Sequence, residues 1–387
     1  MSPGMMLGAV GFGLIAICYG FARFAFGLFL PQIDADLSLS STVGGLISGG
    51  SFLGYCAAII VSAHLTERLG PRVVATVAAL VAAVGMIGIA AAPSSLWLAS
   101  AVMLAGTSTG LASPPMAAAV ATAVKPAGQG ATNTIINAGT GAGVVLSGPV
   151  ALLMGGHWRI AFLIFAATAL CMAIAVVISI PGDARPAENR ETGLPLLNQA
   201  LKRLIIASFL MGASSTALWS FGSQLVTLRL DWGHTGAGLL WIAIGTAGMA
   251  GAWAGVLVAR FGINRTHWLF LGALAGGILL VGFEGTTPTL TLLGGALFGL
   301  AYIMLTGVYL VWGVAALPSR PATGLTVGFL TIAIGQTAGA PLFGLLMDQL
   351  TPTYSVIAFA CLAFTAGLAR VGRTDATHSS DPALPDA

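Results

Sequence analysis

Charge is scarce in this chain. Aspartate, glutamate, lysine and arginine make up 7% of the 387 residues, against 57% hydrophobic, and the mean hydropathy is +0.95. A water-soluble domain carries about a quarter charged residues. A chain this poor in them cannot clothe a surface in water, which predicts a polytopic membrane protein. Carboxylates are missing from the apolar runs. The 12 acids, among them Asp34, Asp36, Glu67, Asp231, Glu284 and Asp348, stand in loops or at helix ends. The five histidines, His267 included, read as peripheral too. No nucleophile–base pair and no His/Cys/Asp/Glu cluster falls within a run, which argues against an enzyme and calls for no cofactor or metal. The four cysteines stand singly in apolar runs, as small buried hydrophobes do. The basic residues behind the net charge of +3 are scattered over many loops, so nucleic acid is not an expected partner.

What is present is length of apolar sequence. Crossing the hydrocarbon takes about 20 helical residues. Twelve segments qualify, at roughly 6–31, 41–63, 73–93, 95–124, 131–154, 160–181, 204–228, 237–259, 267–284, 288–316, 324–347 and 355–371. The first run is too long for the core of a cleaved signal and lacks a basic flank, so it reads as a retained span. The polar stretch "PGDARPAENRETGLPLLNQALKR" divides the spans six and six. The expectation is an all-α membrane protein of two pseudo-symmetric six-helix bundles. Residues 1–181 form the first bundle, 182–203 a cytoplasmic linker, 204–372 the second bundle, and 373–387 a disordered cytoplasmic tail.

Lys and Arg in the loops set orientation. With the N-terminus inside, 12 basic residues fall in cytoplasmic segments and only Arg159 and Arg229 outside. This predicts a multi-pass protein of the cell inner membrane, both termini cytoplasmic, embedded in the bilayer as a monomer.

The two halves repeat. Arg68 and Arg260, Gly70 and Gly262, Gly143 and Gly335, Pro149 and Pro341, and Gly20 and Gly212 are each 192 positions apart. Five pairs at one offset, without gaps, predict a duplicated six-helix unit in parallel orientation. The 53 glycines, many at GxxxG spacing as in "GLISG" and "GAWAG", let helices approach closely in lipid. Spans 5 and 11 place Gly143 with Pro149 and Gly335 with Pro341 in matching positions, which predicts helices that bend or slide in a conformational change.

Between spans 2 and 3 the chain reads "AHLTERLGPR". Its acidic, Arg, Gly and final basic positions, Glu67, Arg68, Gly70 and Arg72, resemble the signature loop of the major facilitator superfamily. "GVLVARFGINR" after span 8 resembles a second copy with Arg260 and Gly262, although Ala259 stands at the acidic position. "SGP" in span 5 is similar to part of that superfamily's Gly-Pro motif, and Val102 replaces its usual span 4 arginine. "YGFARFAFGLFLP" with "LISGGSFLGY" looks like the YbfB/YjiJ-like branch, whose substrates are poorly defined. The resemblance implies alternating access about a central site, with the loop residues Glu67, Arg68, Gly70, Arg72, Arg260 and Gly262 as gating elements and Glu67, Arg68 and Arg260 among them as a cytoplasmic latch. The simpler reading, orientation charges only, stands beside it.

One cation lies inside a span. Arg23 in "YGFARFAFG" cannot shed its charge. Facing lipid would cost from about 3 to over 10 kcal/mol, so it must face the bundle or a watered cavity. With ordinary helical spacing, Tyr19, Arg23, Phe26 and Leu30 share one face. With no acid at its depth, the expected counter-ion is an anionic substrate, whose carboxylate a guanidinium grips in two parallel hydrogen bonds. The alternatives are a structural role, capping carbonyls, or an outer gate with Asp34 or Glu284. Asn137, Trp219, Gln224, Tyr302, Thr306, Tyr309 and Gln336 complete the candidate pocket. The sequence thus predicts a secondary transporter of a small organic anion, by exchange or proton-linked. Efflux of apolar compounds is the competing reading. A membrane enzyme or a receptor without transport is the third.

Overall fold

The computed structural model describes residues 3–182 and 197–372, and all twelve expected spans are helical there. The linker segment 183–196 and the tail 373–387 lie outside the described residues. Span 1 is Gly4–Leu37, span 2 Ser41–Leu69, span 3 Pro71–Ala90, span 4 Ser95–Ala123, span 5 Pro126–Met154 and span 6 Trp158–Ser179. Span 7 is Gln199–Trp219, continued after a turn by Gly222–Leu230. Span 8 is Gly233–Gly251 followed by Ala254–Phe261, bent by 53°. Span 9 is Ile263–Gly282, span 10 Pro288–Ala316, span 11 Pro321–Gln349 and span 12 Pro352–Ala366. Ten of these are long and apolar enough to cross a membrane unaided. The bent span 8 makes an eleventh, and span 12 is a shorter apolar helix.

Local chemistry sets the helix starts. The side chains of Ser40, Ser94, Asn198, Thr287 and Thr351 accept from the first-turn amides of spans 2, 4, 7, 10 and 12. Proline opens spans 3, 5, 10, 11 and 12, where its missing N–H costs nothing.

The repeat is visible in the packing. Spans 2 and 4, 3 and 4, 3 and 6, and 1 and 5 pack together, as do 8 and 10, 9 and 10, 9 and 12, and 7 and 11. Spans 2 and 11, and spans 5 and 8, join the two sets of six. Gly70 and Gly262 adopt the same backbone, φ 83° with ψ 159° and φ 82° with ψ 159°. Only glycine occupies that region comfortably, and it turns each chain from one span into the next. A methyl group on Gly143 would strike the Ala16 backbone of span 1, and one on Gly335 the Phe209 backbone of span 7.

In this conformation spans 5 and 11 run as unbroken α-helices through Pro149 and Pro341. The bent span is span 8, at the 3₁₀ turn Met249–Trp253. Arg72 is tied within its own half. Its Nε donates to the Ile180 carbonyl at 2.6 Å and ties span 3 to the end of span 6 within one half. Asn264, 192 positions on, bonds Val371 in the same way, both donating to its carbonyl and accepting from its amide. His267 is not peripheral: it is fully buried against Tyr309 and Trp312.

Candidate functional site

A cavity of about 440 Å³ lies between the two halves. Its walls are Tyr55 and Ile59 of span 2, Ser113 of span 4, Thr134, Asn137 and Thr140 of span 5, Gly248, Met249 and Gly255 of span 8, Tyr302, Thr306 and Leu310 of span 10, and Phe329, Ile332 and Gln336 of span 11. All lie in the half of each span nearest Arg68, Lys125, Arg260 and Arg320, the basic end of the bundle. Thr134, Asn137 and Gly255 are exposed there, so the cavity opens at that end.

Its floor is Arg23, 6% exposed. Arg23 stands in the last turn of a nine-residue π-helix, Ala16–Phe24, inside span 1, where the Ala25 amide reaches back five residues to the Gly20 carbonyl. Single π turns concentrate at functional sites. The wider turn brings Tyr19, Arg23 and Phe24 to the cavity and sends Phe26 into the core, at 1% exposure. Ordinary α spacing put Phe26 on the cavity face, and the π-helix is why it is not there.

Aromatic rings surround the guanidinium. Its carbon lies 4.5 Å from the Tyr55 ring centre, 4.8 Å from Phe52, 5.2 Å from Phe24 and 5.7 Å from Tyr19. Such contacts hold a desolvated cation by about 0.5–2 kcal/mol each. Its Nη2 donates to the Gln336 amide oxygen at 2.7 Å, across the two halves. Gln336 in turn donates to the Tyr302 hydroxyl at 3.1 Å and to Ser215 Oγ at 3.3 Å. Arg23 Nε is buried without a partner. Among the described residues, Arg23 meets no carboxylate. Asp36 is taken by Arg159 and the Trp158 indole, and Glu284 by Arg229 and Thr353. Asp34 has the Leu39 backbone and Asp348 beside it rather than Arg23, so neither it nor Glu284 forms a gate with Arg23 here, and the two basic residues of the opposite end are staples within their own halves.

Asn137, Tyr302, Thr306 and Gln336 line the cavity as expected. Trp219 backs it, stacked on Phe24 at 4.2 Å and edge-on to Tyr302 at 5.2 Å. Gln224 and Tyr309 are not in it. Span 7 turns at Ser220 and Phe221, which carries Gln224 beyond the floor. The Tyr309 hydroxyl donates to the Ala207 carbonyl at 3.2 Å and bonds His267 Nε2 at 2.9 Å, against spans 7 and 9. Sequence reasoning missed Phe24, Phe52, Tyr55 and Ser215. Each earns its place by a contact across spans, which no spacing within one span reveals.

Beyond Arg23 the opposite end is sealed. The Gly27 Cα faces the Trp219 carbonyl with no room for a methyl group, and Gly45 faces Ala340 and Pro341 likewise. Ser48 and Ser220 share a hydrogen bond of 2.6 Å. Asp348, at the end of span 11, accepts from the Ser41 amide at 3.0 Å and the Thr42 amide and hydroxyl at 2.7 Å, holding the start of span 2. Pro341 is therefore part of the seal, whereas Pro149 is exposed on the outside of span 5. At the basic end Glu67, Arg68 and Arg260 are exposed, with Arg260 over its neighbour Phe261 at 5.3 Å.

A twelve-helix bundle open at one end to a central pocket defines a membrane transport protein rather than an enzyme. The sequence profile of the Major Facilitator Superfamily matches residues 12–336, and the chain belongs to that superfamily. It is 28% identical over 373 residues to monocarboxylate transporter 11 of Homo sapiens, which spans 89% of this chain and 77% of that protein. The nucleoside transporter NupG superposes with a TM-score of 0.78 at 14% identity, covering 95% of this chain and 98% of that one. The xylose transporter XylE from E. coli, inward open, gives 0.78 at 12% identity over 94% and 95%. These two likenesses speak to the fold.

Proposed function

We propose that the chain is a secondary transporter that moves a small carboxylate-type organic anion across the inner membrane by alternating access. The carrying observation is Arg23, among the described residues the one charged side chain lining the cavity, buried on its floor without a carboxylate. A dry site with an unpaired cation is costly, and a bound monoanion removes that cost. Closing is then easier when the carrier is loaded, which favours exchange or facilitated movement of the anion. Among the described residues the lining holds no second cation, so a dianion would bring an uncompensated charge. The name of the human relative, a monocarboxylate transporter, supports this reading.

The units 1–181 and 204–372 rock about Arg23, joined by 182–203. The basic end is cytoplasmic by the positive-inside rule, so the cavity faces the cytoplasm, and Glu67, Arg68 and Arg260 stand at the end that must close. An inside-negative potential drives a free monoanion outward by about 2.3 kcal/mol per 100 mV. Export needs no further coupling, and uptake needs exchange or a proton. Counterflow in proteoliposomes loaded with a panel of small carboxylates tests the reading. Accumulation of label against an unlabelled carboxylate supports it. Counterflow only with uncharged apolar compounds would instead establish efflux, which the aromatic lining of Phe24, Tyr55 and Phe329 also accommodates.

A further inference from the structure

Resting on the reading of Arg23 as the anion site, we infer that Gln336 is a built-in stand-in for the substrate. Its amide oxygen occupies Arg23 when the carrier is empty, and the incoming carboxylate displaces it. Gln336 is fully buried, and three contacts fix its orientation. Both of its donor contacts are hydroxyl oxygens, Tyr302 at 3.1 Å and Ser215 at 3.3 Å, so the carbonyl end must point at the guanidinium. Turned over, the amide would set two N–H groups against a cation. The 2.7 Å bond to Nη2 has the length of a charge-assisted hydrogen bond. Yet one neutral oxygen serves a group that offers five donors, and Nε stays unpartnered. A carboxylate supplies two charged oxygens to the same edge and outcompetes it. The faces of the guanidinium are taken by Tyr55 and Phe52, so Gln336 and the substrate compete for the edge alone.

The consequence concerns the empty carrier. Arg23 belongs to span 1 and Gln336 to span 11, so this bond spans the halves that must move. Without it, closing an empty site would strand a bare cation. With it, the empty carrier keeps a partner for Arg23 through the return step. Gln336 therefore permits net transport by a carrier that would otherwise exchange only.

Equilibrium binding of radiolabelled butyrate and benzoate to the purified full chain tests this, with Gln336→Ala, the near-isosteric Gln336→Met, Gln336→Glu and Arg23→Gln. Removing the competitor tightens binding of a probe that wild type binds by about tenfold in the Ala and Met variants, one charge-assisted hydrogen bond's worth. Gln336→Glu, a permanent occupant, abolishes it. In proteoliposomes Gln336→Ala and Gln336→Met keep exchange and lose net efflux, a split that loss of structure alone would not produce. If both weaken binding as Arg23→Gln does, Gln336 is a direct ligand and the inference is overturned. Wild type that binds neither probe, or binds them as Arg23→Gln does, would overturn the anion site itself and the inference with it.

Discussion

Arg23 and Ser215 stand 192 positions apart, at the same place in the two repeated units, and both bind Gln336. The duplication thus carries its cation in one copy and a small hydroxyl in the other. Symmetric halves give a fold that can rock. The asymmetry between Arg23 and Ser215 gives the pocket one charged floor.

The seal at the end opposite the cavity rests on Asp348 and on close glycine contacts. Asp348→Asn removes a charged cap from the start of span 2, worth about 0.5–2 kcal/mol. Gly27→Ala pushes a methyl group into the Trp219 carbonyl. Each shifts the population toward opening of that end. A reporter cysteine at buried Ser48 should react several-fold faster with a membrane-impermeant maleimide in either variant than in an otherwise unchanged chain. Equal rates would show that neither contact holds the seal.

Gly70→Ala and Gly262→Ala each force a side chain into a backbone region that costs about 1–3 kcal/mol. Thermal unfolding in detergent should fall in both, by similar amounts, because the two turns have the same geometry. A loss confined to one variant would mean that the repeat does not distribute stability evenly.

Tyr309→Phe strips two buried hydrogen-bond contacts, to His267 and to Ala207, for about 1–3 kcal/mol of stability. Because Tyr309 lies outside the cavity, anion affinity should be unchanged while the unfolding midpoint drops. A changed affinity with an unchanged midpoint would return Tyr309 to the site.

The class of fold was legible because lipid imposes a simple code. Apolar runs of spanning length, loop charges and the 192-residue offset are all properties of one chain read in order. Arg23 was legible for the same reason, since a cation in an apolar run has few cheap explanations. Phe26 and Phe24 mark the limit. The sequence has no proline to announce a π-helix at Ala16–Phe24, and its wider turns exchange which phenylalanine faces the cavity. Tyr309 and Tyr302 share a helix and a residue type, yet one meets His267 and the other the cavity, a difference set by span 9 rather than by span 10. His267 looked peripheral because it lies near the start of its helix, where the closeness of span 10 could not be read.

The central claim is that Arg23 binds a carboxylate. Thermal unfolding of purified wild type and Arg23→Gln, against small organic anions at fixed ionic strength, tests it most directly, because a ligand that binds only the folded state raises the midpoint. The account predicts that at least one monocarboxylate raises the midpoint of wild type and leaves that of Arg23→Gln unmoved. An equal rise in both proteins would contradict it and leave Arg23 a structural cation.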